Sequence, residues 1–135
     1  MKFYHLLGVI LLLGLAAPVV RAQEPLTPEQ KEKQLVEAVE KEVQRLSTLL
    51  DLEYWQEFYV DSTLMHDFKA MTDEMEQMQS AKVENRDLYI NTQDKWMQKI
   101  DDSYKRYFTD EQWKKYWKSG GERAWKARQK RQQKK

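Results

Sequence analysis

The chain has 135 residues, with 23 Lys and Arg against 22 Asp and Glu, 4 Gly, 3 Pro and no Cys. The missing cysteine excludes a disulfide scaffold, a thiolate metal site, a cysteine nucleophile and a lipid-modified N-terminal cysteine. So few Gly and Pro leave a β-sandwich without its turns, and neither a G-x-G-x-x-G fingerprint nor a P-loop is present to hold a nucleotide.

In chain order, the first element is an export signal. Lys2 and His5 precede an apolar run over residues 6–17, Pro18 breaks it, and Val20-Arg21-Ala22 offers small residues for a cut before Gln23. That layout is expected of a secretory signal peptide over residues 1–22. As a helix the run covers about 18 Å, short of the ~30 Å hydrocarbon core, so a retained anchor is the poorer reading. The mature protein is then expected in the periplasm or the medium, as one helical domain over residues 23–118 and a basic tail over residues 119–135. ATP is scarce there and cytoplasmic nucleic acid out of reach, so neither an ATP-driven mechanism nor a nucleic-acid partner is expected.

Thr27-Pro28-Glu29-Gln30 reads as a helix start. Thr27 accepts from free N–H groups, Pro28 suits N1, Gln30 closes a capping box and Leu26 supplies a hydrophobic staple. Val36, Val39, Val43, Leu46 and Leu50 follow at spacings of three and four, one apolar stripe on one helix. A second start lies at Leu52-Glu53-Tyr54-Trp55-Gln56, ahead of Val60, Leu64, Phe68, Met71, Met75 and Met78. This helix is expected from about residue 53 to 79, with Asp61-Ser62-Thr63 as a possible kink. A turn is placed over residues 80–85, with Ser80 or Asn85 as the next N-cap, and Ile90, Trp96, Met97, Ile100, Tyr104 and Tyr107 mark a third stripe. Phe108-Thr109-Asp110-Glu111-Gln112 opens a short helix that Ser119-Gly120-Gly121 is expected to end, because Gly tolerates the left-handed position after a helix.

No segment alternates with period two for long. The fold class is therefore all-α: a small bundle or elongated hairpin of three longer amphipathic helices, one short helix and a basic C-terminal tail. Charge divides unevenly. Residues 23–113 hold 11 Lys and Arg against 21 Asp and Glu, whereas residues 114–135 hold 10 Lys and Arg against Glu122 alone.

The three starts share a pattern. Leu26-Thr27-x-x-Gln30 is complete, Phe108-Thr109-x-x-Gln112 has Phe for Leu, and the start at residue 52 has Glu53 where the others have Thr. On these residues the sequence resembles the LTxxQ-motif family of bacterial periplasmic proteins, which includes the Spy-type ATP-independent chaperones and related envelope-stress and heavy-metal-response proteins. The resemblance covers the signal, the motifs and the helix layout. It implies that Leu26, Thr27, Gln30, Phe108, Thr109 and Gln112 are structural, fixing helix ends and packing helices together. It also implies a homodimer, and a surface on which aromatic or Met side chains take unfolded or envelope proteins as clients. Trp55, Phe58, Phe68, Met71 and Met75 are the candidates for that surface, beside the alternative that the same stripe is core. Glu53 and the basic tail depart from the family pattern and put its curved cradle in doubt.

Two further groups carry weaker chemistry. Lys126, Arg128, Lys130 and Arg131, near Trp117 and Trp125, suit anionic lipid or lipopolysaccharide; the alternative is a solvated tail or one paired with the acidic body. Binding of anionic surfaces through this tail underlies the rival function, a structural or interaction protein of the envelope. Met65, His66, Met71, Met75 and Met78 are a poor soft-metal set that packing explains as well, so neither metal nor cofactor is expected. Ser62 and His66 lie four apart beside Asp61 and Asp67, but no Gly-rich turn supplies an oxyanion hole, and no enzyme activity is expected.

Overall fold

The computed structural model describes residues 24–134; the expected signal segment, Gln23 and Lys135 lie outside them. Of the described residues 86% are helical and none lies in a strand, so the fold is all-α. Its elements are α1 (Pro28–Leu50), α2 (Tyr54–Ser80), α3 (Arg86–Tyr107), α4 (Asp110–Tyr116), a kinked segment (Trp117–Gly121) and α5 (Glu122–Gln133).

Each start has a local cause. Thr27 accepts from the Gln30 N–H at 3.2 Å and Gln30 returns the bond to the Thr27 N–H at 3.0 Å. Thr109 and Gln112 repeat the arrangement at 3.2 and 2.9 Å. Asn85, not Ser80, caps α3, accepting from the Asp87 N–H at 3.0 Å. Helix α2 runs through Asp61-Ser62-Thr63 without a break. Between α1 and α2 the chain turns at Asp51, whose φ of 52° is a left-handed conformation that a short polar side chain tolerates.

Side-chain pairs fix how the helices run. Lys31 Nζ meets Glu76 at 2.8 Å, and Ser47 donates to Glu57, so α1 and α2 are antiparallel. Thr63 bonds the Tyr107 hydroxyl at 2.9 Å and Lys95 bonds Glu74 at 2.6 Å, so α2 and α3 are antiparallel too. The core gathers where the end of α1, the first half of α2, the end of α3 and α4 converge. Leu46, Leu50, Val60, Leu64, Phe68, Met71, Ile100, Tyr104, Phe108 and Tyr116 are all buried there. Each of the larger apolar side chains contributes roughly 1.5–3 kcal/mol by leaving water.

The C-terminal arm departs from expectation. Ser119-Gly120-Gly121 does break the helix where expected, with Gly120 at φ 134°, but the chain then resumes as a further helix, α5. Gly121 is packed so closely on Tyr116 that a Cβ there would lie 2.9 Å from the ring. The kink turns α5 back along α3. Arg128 pairs with Asp101, and Arg131 grips Asp94 with two bonds of 2.7 Å. The arm is therefore a docked helix over its first three turns, not a free basic tail.

Candidate functional site: the aromatic start of helix α2

Large apolar side chains that a fold leaves in water mark a place where something else binds. Here they concentrate in the first two turns of α2. Tyr54 is 89% exposed, Phe58 64%, Trp55 49% and Tyr59 48%; among the described residues the remaining exposed large apolar side chain, Leu88, belongs to α3.

Helical spacing explains the concentration. Gln56 and Val60, four apart, point inward and are 1% and 0% exposed, which leaves the flanking aromatics facing out. Trp55, Phe58 and Tyr59 are held rather than loose. The Trp55 indole donates to Glu53 at 2.6 Å, Phe58 and Tyr59 meet edge to face at 5.7 Å, and Tyr59 lies 5.4 Å from the Tyr107 ring. A surface of pre-positioned rings loses little conformational freedom on binding.

Beneath the rings lies a glutamine clasp. Gln56 Nε2 donates to Gln112 Oε1 at 2.7 Å, and Gln112 Nε2 donates to Gln56 Oε1 at 3.1 Å. Each amide then makes two more bonds. Gln56 donates to the Tyr107 carbonyl at 2.9 Å and accepts from the Glu53 N–H at 2.9 Å. Gln112 donates to the Leu50 carbonyl at 3.2 Å and accepts from the Thr109 N–H at 2.9 Å. Two donors and two acceptor lone pairs are thus used on both side chains. The starts of α2 and α4 are locked to each other and to the ends of α1 and α3. Leu52 and Phe108, which precede the two caps, are both buried.

The three similar starts therefore have different fates. Thr27 and Gln30 form an exposed cap, with Leu26 half-buried. The two starts that join are those at residues 52 and 108, and the first of them is the one with Glu53 for Thr. The physical reason is that the hydroxyl caps its own helix, while the glutamine amide is what crosses to another. The repeated Leu/Phe-x-x-x-Gln spacing was the signal in the sequence.

The expected client surface is divided. Trp55 and Phe58 are exposed. Phe68 and Met71 are 4% and 2% exposed and belong to the core, and Met75 packs against it. Covered by α1 and α3, those two side chains have no surface to offer. Met65 also packs against the core. His66 turns to Asp67 at 2.7 Å rather than to Ser62. Among the described residues no three His, Asp or Glu side chains converge as a metal site requires, and no helix is long and apolar enough to cross a membrane.

The expected anion-binding set is divided as well. Arg128 is almost wholly buried, and Asp101 takes both its guanidinium and the Tyr116 hydroxyl. Burial pushes the Asp101 carboxyl above the usual aspartate range, against the opposing pull of Tyr116 and Arg128. Burial likewise pushes the Tyr116 phenol well up, helped by the Asp101 charge. Arg131 is spent on Asp94 and Lys126 on Glu122 at 2.8 Å, so three of the four cations have internal partners. The two arginine pairs span 27 and 37 residues, a separation that no local pattern reveals.

Compared with family models, with characterised proteins and with solved structures, the chain matches none of them. Function therefore rests on the molecule's own geometry.

Proposed function

We propose that the protein is an ATP-independent holder of unfolded or partly folded polypeptides in the bacterial envelope, similar in action to the Spy-type chaperones that its helix starts resemble. The observation that carries this reading is the exposed quartet Tyr54, Trp55, Phe58 and Tyr59, mounted on a rigid base. A holding surface has to expose apolar side chains without unfolding, and the glutamine clasp keeps the helix ends fixed while the rings stay in water. The role of Gln56 and Gln112 in joining helices agrees with what the resemblance implies for the motif glutamines. The rival reading, an envelope protein bound to anionic lipid or lipopolysaccharide through its arm, is weakened by the internal use of Arg128 and Arg131. Export would come from the apolar N-terminal segment, and a homodimer remains compatible with the aromatic face.

The test uses the mature chain in ATP-free buffer with a chemically unfolded client. Light scattering should rise later when the protein is present, and Trp55→Ser/Phe58→Ser should lose that delay while circular dichroism stays unchanged. Absence of protection by the unmodified protein at both low and high salt would overturn the proposal.

A further inference from the structure

We propose that the segments held by the aromatic face are cationic and amphipathic; this rests on the holding function above and assigns it a class of client. The first observation is electrostatic. Residues 46–68 contain no Lys or Arg but include Asp51, Glu53, Glu57, Asp61 and Asp67. Among the described residues no Lys or Arg pairs with the first four. Further along α2 the carboxylates are matched: Asp73 by Lys69, Glu74 by Lys95 and Glu76 by Lys31. The contrast leaves unpaired negative charge at the start of α2 beside Tyr54 and Phe58, whereas on the Tyr59 side Arg106 lies against the Tyr107 ring.

The second observation is shape. A groove of about 330 Å³ runs between α1 and α2, lined by Glu40, Val43, Gln44, Ser47, Glu57 and Asp61 among others. Tyr54 and Phe58 precede Glu57 and Asp61 by the helical spacing of three, so these two rings share a face of α2 with the groove's acidic wall, while Trp55 and Tyr59 lie toward α3. Ser47 donates to Glu57 and holds that carboxylate at the groove wall. An acidic furrow beside an aromatic ledge suits a chain that alternates long cationic and apolar side chains. Lysine or arginine stems lie along Val43 and the rings, and their charged ends reach Glu40, Glu57 and Asp61. An acidic segment would meet like charge, and a neutral one would desolvate the carboxylates without compensation.

The experiment measures fluorescence anisotropy of two labelled synthetic amphipathic peptides, one of Leu and Lys and one of Leu and Glu with the same apolar pattern. The Leu–Lys peptide should bind at least roughly tenfold more tightly, and high salt should narrow the gap. Glu40 and Asp61 are exposed, so Glu40→Lys/Asp61→Lys should fold normally and weaken Leu–Lys binding by roughly tenfold. Glu24→Lys/Glu84→Lys alters net charge equally in exposed loops away from the groove and should change binding by less than about twofold. Equal binding of the two peptides, or indifference to Glu40→Lys/Asp61→Lys, overturns the client class and leaves the holding function standing. Failure of both peptides to bind overturns it too, and the aggregation assay then decides separately whether holding falls. A dimer that Glu40→Lys/Asp61→Lys dissociates would seat a second copy on the face and also overturn the proposal.

Discussion

The first two turns of α2 and its middle have nearly the same apolar content and opposite fates. Phe58 and Phe68 are on one helix, ten residues apart, and are 64% and 4% exposed. What differs is the cover. Around Phe68 the helix lies between α1 and α3, whereas around Phe58 the neighbours meet Gln56, Glu57, Tyr59 and Val60 and leave the outer side uncovered. Apolar periodicity identifies a face that can be buried; what buries it depends on elements distant in sequence. The same contrast recurs between like residues elsewhere, in Gln30 against Gln56 and in Lys130 against Arg128.

The strongest way to break this comparison is to truncate the buried ring. Phe68→Ala should cost about 3–5 kcal/mol, the usual size for a lost core aromatic, and chemical denaturation should show a much lower midpoint. A loss below about 1 kcal/mol would mean that the site is not packed as a core.

The arm allows the same comparison for charge. Arg128→Met removes the partner of a buried carboxylate and should cost about 3–5 kcal/mol near neutral pH, whereas Lys130→Met should cost little. The pH dependence has a definite sign. Asp101 already titrates above the ordinary value because of burial, and losing the Arg128 charge raises it further. The folded variant then binds a proton that the unfolded chain does not, so its stability deficit should shrink as pH falls toward the unfolded carboxylate pKa. Denaturation of the variant and the unmodified protein, compared at neutral pH and near pH 5, checks this; a deficit that grows on acidification would contradict it.

Between the two glutamine caps the expected difference is smaller. Gln56→Ala strands the amide of Gln112 and two backbone groups in a buried place, which costs about 1–3 kcal/mol. Gln30→Ala opens an exposed cap that water can satisfy, and its cost should be a few tenths. Thr109→Ala falls between, at about 1 kcal/mol for a lost N-cap. Equal costs at Gln30 and Gln56 would show that the clasp adds nothing to ordinary capping.

Legibility follows range. The caps at Thr27, Asn85 and Thr109 and the stripes through Val39, Leu46, Ile100 and Tyr104 are set by neighbours three or four residues away, and they could be read from the sequence. The clasp joins residues 56 apart. The sequence displayed both glutamines at the same offset without showing that they meet, and Glu53 made the decisive start look like the poorest. The docking of the arm was not legible for a related reason. A run of Lys, Arg and Gln describes a solvated segment equally well until Asp94 and Asp101 are seen on the facing helix. Of the candidate client residues, Trp55 and Phe58 are exposed and Phe68 and Met71 are buried; spacing alone does not separate the covered part of a stripe from the uncovered part.

The smallest expected change in stability tests the other side of the comparison and bears most on function. Phe58 is largely exposed and touches Tyr59 only edge to face, so Phe58→Ala should alter folding stability by no more than about 0.5 kcal/mol. If the ring is part of a holding surface, the same substitution should still reduce the delay of client aggregation, and adding Trp55→Ser should reduce it further. Phe68→Ala, measured at a temperature where it stays folded, should leave the delay nearly intact because its ring never meets a client. The two phenylalanines thus predict opposite pairs of outcomes: stability without holding for one, holding without stability for the other. If Phe58→Ala lowers the unfolding midpoint as much as Phe68→Ala does, the exposed face is serving the fold, and its rings have no spare surface to give to a client.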